Sequence, residues 1–242
     1  MDKNNDPNFP FWNVGKVLKD ADLVFVNLES PIVTDCPRIF EGYKFCAPPL
    51  MMEGLVTAGV DVVTLANNHT YNFGVDGFNE TISYLNTKNI DSVGYGNLVK
   101  RKMGETTFGF LGFDFLTNTP IQEDYDLVQT SDKEVDVLIV GVHWGEEYVD
   151  VPGEYQTGIA EKLVESGADL IAGHHPHWVQ SIDEIEGVPV YYSLGNFVFD
   201  QMWSEETKKG LVVILEYDGE KIVGEERLHS YTRLRGQPEF IN

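Results

Sequence analysis

An α/β fold built around a central, substantially parallel sheet is what this sequence predicts, and three observations carry the expectation. Short apolar, β-branched runs alternate with longer segments of helical period, the pattern of strand–helix–strand units. Several runs are apolar at every position, as strands buried on both faces are. Five of the runs give way to Asn, Glu or His, and open α/β sheets bind ligands outside the carboxyl ends of their strands.

In chain order, a helical segment over 11–20 leads into the strand LVFVN (23–27). A helix over 49–58 precedes the strand VDVVTLAN (60–67), and a helix over 75–88 follows it. The runs TFGFLGF (107–113) and VDVLIVGVH (135–143) come next. A helix over 153–166 then places Ile159, Ala160, Leu163 and Val164 on one stripe and stops at Gly167. DLIAG (169–173), PVYYSLG (189–195) and LVVILEY (211–217) complete the strands. The last of these turns at Gly219 into an antiparallel hairpin at the edge of a second sheet. No linker, repeat or low-complexity stretch divides the chain, so residues 1–242 read as one domain.

With 42% hydrophobic and 12% aromatic residues the chain has material for a core, which excludes general disorder. Its 17 basic and 39 acidic residues give a net charge of −22, which argues against nucleic acid or an anionic membrane surface as a partner. No apolar run reaches the roughly 18 residues that span a bilayer, and the opening MDKNNDPNFPFW carries no export signal. Cys36 and Cys46, ten positions apart with Pro37 and Gly42 between them, are too few for a zinc knuckle. They predict a disulfide across a returning loop, hence an oxidising compartment, against the alternative of two unrelated thiols.

Chemistry collects at the strand ends. LVFV runs into Asn27-Leu28-Glu29, VVTLA into Asn67-Asn68-His69, VLIVGV into His143, DLIAG into His174-His175-Pro176-His177, and VYYSLG into Asn196. Five of the six histidines sit in these turns and only His229 lies elsewhere. Imidazole, carboxylate and amide ligands without thiolate suit Mn, Fe or Zn. A carboxylate bridging two divalent ions offsets their repulsion, and such a pair binds phosphate between them. His69 follows the ligand-type Asn68 and points away from it, the position of a proton donor rather than a second ligand. Purely structural, hydrogen-bonded histidines are the competing reading.

NLESPIV (27–33), LANNHTYNFGVDGFNETISYL (65–85), VGVHWGEEY (140–148), YQTGIAEKLVESGADLIAGHHPHWVQ (155–180) and PVYYSLGNFVFDQ (189–201) resemble the CapA/PgsA family of capsule-synthesis and poly-γ-glutamate-biosynthesis proteins, over about residues 6–240. The resemblance implies a calcineurin-like metallophosphatase fold: a four-layer α-β-β-α sandwich of two stacked mixed sheets flanked by helices. It implies two divalent ions, Mn, Fe or Zn, in a complete site. Carried over by position, Glu29 stands where the bridging carboxylate is expected, although ordinary metallophosphatases have Asp there. Asn68, His143, His175 and His177 match metal ligands and His69 the proton donor. His174 matches a supporting neighbour, and Asn27, Glu147 and Asn196 line the cleft. Asn72 stands where many relatives have Asp.

The family begins with a strand ending in Gly-Asp whose Asp binds the first metal, and KNNDPNFPFW already resembles the segment after that strand. Neither Asp2 nor Asp6 comes after an apolar strand, so the chain reads as N-terminally truncated relative to the family, with one ion expected in it. Relatives are membrane-anchored outside the cell, so the resemblance implies the extracellular face of the membrane, an anchor ahead of this sequence, and membrane-bound polymer-synthesis proteins as partners. It leaves two functions open: a metal-dependent hydrolase of a phosphate ester or of the polymer itself, or a non-catalytic accessory scaffold. The net charge disfavours broad contact with an anionic polymer, so any contact would be focused at the metals or at a small basic patch such as Lys100-Arg101-Lys102, for which a solvated loop is the alternative.

Overall fold

The computed structural model describes residues 6–37 and 43–241, so Asp2 and Gly42 lie outside the described residues. A 3₁₀ turn (Phe9–Phe11) and helix α1 (Gly15–Lys19) stand where one helix over 11–20 is expected. The parallel strands β1 (Phe25–Asn27), β2 (Val62–Thr64) and β3 (Asp91–Val93) form a first sheet in that order, with α2 (Pro49–Thr57) and α3 (Gly74–Thr87) in the connections. A six-stranded sheet comes next in the order β4 (Val99–Met103), β5 (Thr106–Asp114), β6 (Val137–His143), β7 (Leu170–His174), β9 (Val188–Tyr191), β8 (Ile182–Ile185). It is parallel from β5 through β9 and antiparallel at both edges. Helices α4 (Gln122–Asp132) and α5 (Glu154–Glu165) belong to its crossovers. The chain closes with an antiparallel sheet of β10 (Lys209–Asp218), β11 (Lys221–Leu234) and β12 (Gln237–Ile241), turning at Gly219 as the sequence requires.

The strand period of two sorts these side chains into layers. Leu111, Phe113, Leu138, Val140 and Ile171 face α4 and α5, meeting the predicted stripe Ile159, Ala160, Leu163 and Val164. Their neighbours Phe108, Phe110, Ile139, Leu170 and Ala172 face the opposite way, onto Val62 and Val93 of the first sheet and Val213 and Leu215 of β10. Val63, Val24 and Val26 turn outward beneath α1, α2 and α3. The result is helix, sheet, sheet, helix, as expected.

The two sheets approach closely beside the carboxyl ends of β5 and β6. A Cβ at Gly112 would sit 2.5 Å from Thr64 Oγ1, and one at Gly141 would sit 2.8 Å from Phe25 Cζ. Glycine is needed there for the approach of layers rather than for a turn. α4, β3, β4, β8 and β12 escape the sequence pattern. α4 (QEDYDLVQTSD) is polar except for one short face anchored by the fully buried Val128. β4 (VKRKM) is an edge strand whose lysines point to solvent, which blunts the edge.

Gly141→Val is predicted to destabilise the fold by about 1–3 kcal/mol through overpacking. Gly158→Ala, in α5 with nothing near its Cβ position, should stabilise by about 0.5–1 kcal/mol. Urea midpoints of the two variants check both signs.

Candidate metal centre

Asn27, the last residue of β1, orients the carboxylate beyond it. Its Nδ2 donates to Glu29 Oε2 (3.1 Å) and its Oδ1 accepts from Asn67 Nδ2 (3.2 Å). Asn67 is buried, donates also to Leu28 O (3.1 Å), and accepts from the His69 amide and the Thr70 hydroxyl (both 3.1 Å). One amide thus ties the ends of β1 and β2 together and shapes the turn that presents Asn68 and His69.

The two side chains of that turn diverge. Asn68 Oδ1 lies 3.0 Å from His143 Nε2 at the end of β6. Two ligand atoms about 2.1 Å from one ion lie roughly 3–3.5 Å apart, so this spacing suits a shared cation. His69 instead has Nδ1 3.1 Å from Asn72 Nδ2 and Nε2 3.8 Å from Glu29 Oε1, and its ring packs on Phe45 with centroids 4.3 Å apart. With Asn72 donating, Nδ1 is the acceptor and the ring proton sits on Nε2, facing Glu29.

The turn after β7 supplies two further imidazoles. Ring centroids are 4.9 Å apart for His143 and His175 and 5.9 Å for His175 and His177. His175 (φ 99°) and His177 (φ 61°) both occupy left-handed backbone space, a departure worth on the order of 1–3 kcal/mol per non-glycine residue that clusters at functional sites. Asn196 sends both of its N–H groups elsewhere, to Gln201 Oε1 (3.1 Å) and Thr207 O (2.9 Å). Its Oδ1 therefore accepts from His177 Nδ1 (2.9 Å), which leaves the Nε2 lone pair of His177 free.

Glu147, read from sequence as cleft lining, stands closer than that. One of its carboxylate oxygens and one ring nitrogen each from His175 and His177 all lie within 4.8 Å of one another. Its loop is pinned by Tyr148 N donating to Pro176 O (2.8 Å) and by the buried Gln156–Gln180 pair (2.9 Å). Gln180 also bonds Val149 O (3.0 Å) and Val151 O (3.2 Å). His174 ends β7 outside the Glu147–His175–His177 group, with its Nε2 unpartnered. The sequence reading gave no role to Asn72 as the partner of His69, to the glutamine pair, or to an aromatic wall. In that wall Phe199 stacks on His177 (5.5 Å) and Trp203 packs edge-on against Tyr148 (4.7 Å).

Burial sets the electrostatics. It holds His69 below the ordinary imidazole range and His143 well below it, and it takes His174 and His175 down to about 4. These rings are neutral at pH 7, the form that ligates metals. Burial pushes the Glu29 carboxyl up, opposed by His177 and the Asn27 hydrogen bond. Among the described residues Glu29 pairs with no Lys or Arg; its one ion-pair neighbour is His69. Glu29 Oε1, His143 Nδ1 and His175 Nδ1 are buried without hydrogen-bond partners. A buried carboxylate with one oxygen unpartnered, beside neutral imidazoles, fits a divalent cation. The basic triplet does not extend the site: Lys100 pairs with Glu134 (2.5 Å), Arg101 with Asp91 (2.8 Å) and Lys102 with Glu105 (3.9 Å). Cys36 and Cys46 form a disulfide with Cα atoms 5.8 Å apart, beside Phe45 and hence beside His69.

Comparison with known proteins finds relatives of this chain. A family model described as bacterial capsule synthesis protein PGA_cap matches residues 1–108 and 114–201. The capsule biosynthesis protein CapA of Bacillus anthracis is 31% identical over 234 residues, covering 85% of this chain and 57% of that protein. The PGA biosynthesis protein CapA of Bacillus subtilis is 29% identical over 231 residues, covering 84% and 60%. The chain therefore spans a little under two thirds of the length of the curated relatives it matches. The crystal structure of a novel phosphatase from Mycoplasma pneumoniae shares the fold at a TM-score of 0.56 and 15% identity, over 89% of this chain and 88% of that one.

In metal-free protein the neutral, buried histidines predict acid lability. For His174 and His175 the folded pKa lies below the unfolded value of 6.5. Their contribution is complete above pH 6.5 and is lost as pH falls toward 4. Melting temperature measured from pH 7 to 4 should fall, and a His174→Gln variant should show a shallower fall.

Proposed function

Because the chain belongs to the bacterial capsule synthesis protein family PGA_cap, we propose that it serves capsule or poly-γ-glutamate production at the cell envelope as a metal-dependent phosphoester hydrolase. The observation that carries the reading is the convergence of a buried, unpaired Glu29 with neutral imidazoles whose ring nitrogens lack partners. Glu29, Asn68, His143 and His175 would hold one ion. His177 and Glu147 would hold a second, with Glu29 the carboxylate that would serve both. Glu147 would give that second ion a carboxylate of its own.

Bound at these residues, divalent ions supply the Lewis acidity and positive charge that hold and polarise a phosphoryl group. The protein's own groups do the rest. Asn27 and Asn67 fix the direction of Glu29, and Asn196 fixes the tautomer of His177. His69 lies beside Glu29 with its proton on Nε2, placed to donate to a leaving-group oxygen, and Asn72 holds the ring in that tautomer. Phe45 and Phe199, in edge contact at 5.6 Å, close the cleft over His69 and His177 and limit water there.

The −22 charge and the pairing of the basic triplet disfavour broad contact with an anionic polymer, so contact with one would be focused at the metals. The Cys36–Cys46 bridge supports an oxidising compartment, in line with work beside membrane-bound synthesis proteins on the outer face. No helix among the described residues is long and apolar enough to cross a membrane.

With Mn²⁺ loaded, the protein is predicted to hydrolyse an aryl phosphate, and His69→Ala should lower kcat by about 10²–10⁴-fold with metal content unchanged. Undiminished turnover in His69→Ala would refute the proton-donor role. Full metal loading without turnover would refute hydrolysis and leave an accessory scaffold.

A further inference from the structure

The side chain that covers His69 is carried by a segment with little backbone support of its own. Phe45 packs on the His69 ring with centroids 4.3 Å apart and meets the edge of Phe199 at 5.6 Å. Its loop is closed at the base, where Ala47 N donates to Pro31 O (2.8 Å) and Val33 N to Ala47 O (2.9 Å). Above that base, no backbone–backbone hydrogen bond among the described residues fixes 43–46. Tyr43 is 76% exposed, and Lys44 rests on the Phe73 ring (4.3 Å). A segment without a hydrogen-bond ladder opens at low cost unless something else restrains it.

The other arm of the loop is well anchored. Ile32 N donates to Thr81 Oγ1 (2.9 Å) and Thr34 N to Glu80 Oε1 (2.7 Å), both on α3, and Cys36 N donates to Val33 O (3.2 Å). α3 starts at Gly74, directly after the turn that holds His69 and Asn72, so the anchored arm and the imidazole share one support. The Cys36–Cys46 bond, with Cα atoms 5.8 Å apart, carries that support across to the loose arm, and Phe45 is the residue next to Cys46. Tyr43 of the same segment adds a contact. Burial lowers the pKa of His69, and Asn72 and a backbone hydrogen bond with Tyr43 are among the groups that oppose it. Both cysteines are half-buried, within reach of a reductant in solution.

We propose that the Cys36–Cys46 bridge positions the proton donor, a role that rests on the reading of His69 as the acid: the bridge holds Phe45 and its segment against the imidazole, so His69 is aligned in the oxidised protein and released when the bridge opens. Turnover then depends on an oxidising surrounding. Opening takes two electrons and two protons from a dithiol, which itself becomes a disulfide, and leaves two cysteine thiols. Phe45→Ala removes the same contact with the bridge intact.

Histidine modification in metal-free protein tests the contact without reference to activity. Diethyl pyrocarbonate at pH 7 followed by peptide mapping gives the rate at each ring, with exposed His229 as reference and buried His143 as control. Cys36→Ser/Cys46→Ser and Phe45→Ala should each speed modification of His69 by roughly fivefold or more and leave His143 unchanged. In Mn²⁺-loaded protein both should lower kcat on an aryl phosphate by roughly 10- to 100-fold with KM little changed. Phe45→Tyr, which keeps the ring, should recover most of that loss. In a His69→Ala background neither change should lower the residual kcat further. Should the cysteine variant fail to fold, the reduced parent protein and Phe45→Ala take its place. Unaltered modification of His69 in both variants overturns the proposal. So does a further loss in the His69→Ala background, or faster modification of His143 along with His69, since either assigns the bridge to the fold alone. Absence of turnover in the parent overturns hydrolysis, whereas the modification rates, read without metal, judge the bridge by themselves.

Discussion

A carboxylate buried without a basic side chain is the constraint around which this site is organised. Removing an ionised carboxylate from water is costly, and a protein ordinarily supplies Arg, Lys or a metal, or leaves the group protonated. Glu29 has Asn27 on one oxygen and nothing on the other, with a neutral His69 nearby. Burial keeps His69, His143 and His175 deprotonated, so these rings do not neutralise it as cations. A divalent ion resolves both problems together, since it needs an anion and neutral nitrogen lone pairs.

That arrangement depends on two sheets meeting at one rim. Asn68 comes from the turn after β2 and His143 from the end of β6, in different layers, yet they stand 3.0 Å apart. Gly112 and Gly141 permit the approach, and any larger residue would wedge Thr64 or Phe25 away from β5 and β6. The left-handed backbone at His175 and His177 is a second local cost, offset by the Asn196 bond and the Tyr148–Pro176 tie that hold the turn.

Much of this was legible in the sequence because strand ends are punctuated by chemistry: Asn27, Asn68, His143 and His175 each come after an apolar run. The stripe on α5 and the Gly219 hairpin were equally plain. Other features were hidden for physical reasons. α4 buries too narrow a face to show a period, and β4 hides its pleat behind lysines. The strand expected over 60–67 pairs only across Val62–Thr64, because Asn67 turns the chain to make its four hydrogen bonds. Glu147 lies four residues past its strand, and only the glutamine-pinned fold of that loop carries it to His175 and His177.

Metal stoichiometry tests the central claim most directly. The protein is loaded with Mn²⁺ or Zn²⁺, desalted, and assayed by elemental analysis beside His143→Ala and His175→Ala. The account predicts that the parent chain retains at least about one ion, that each variant loses it, and that the ion raises the melting temperature of the parent alone. No retained metal in the parent, or equal retention in all three proteins, would contradict it.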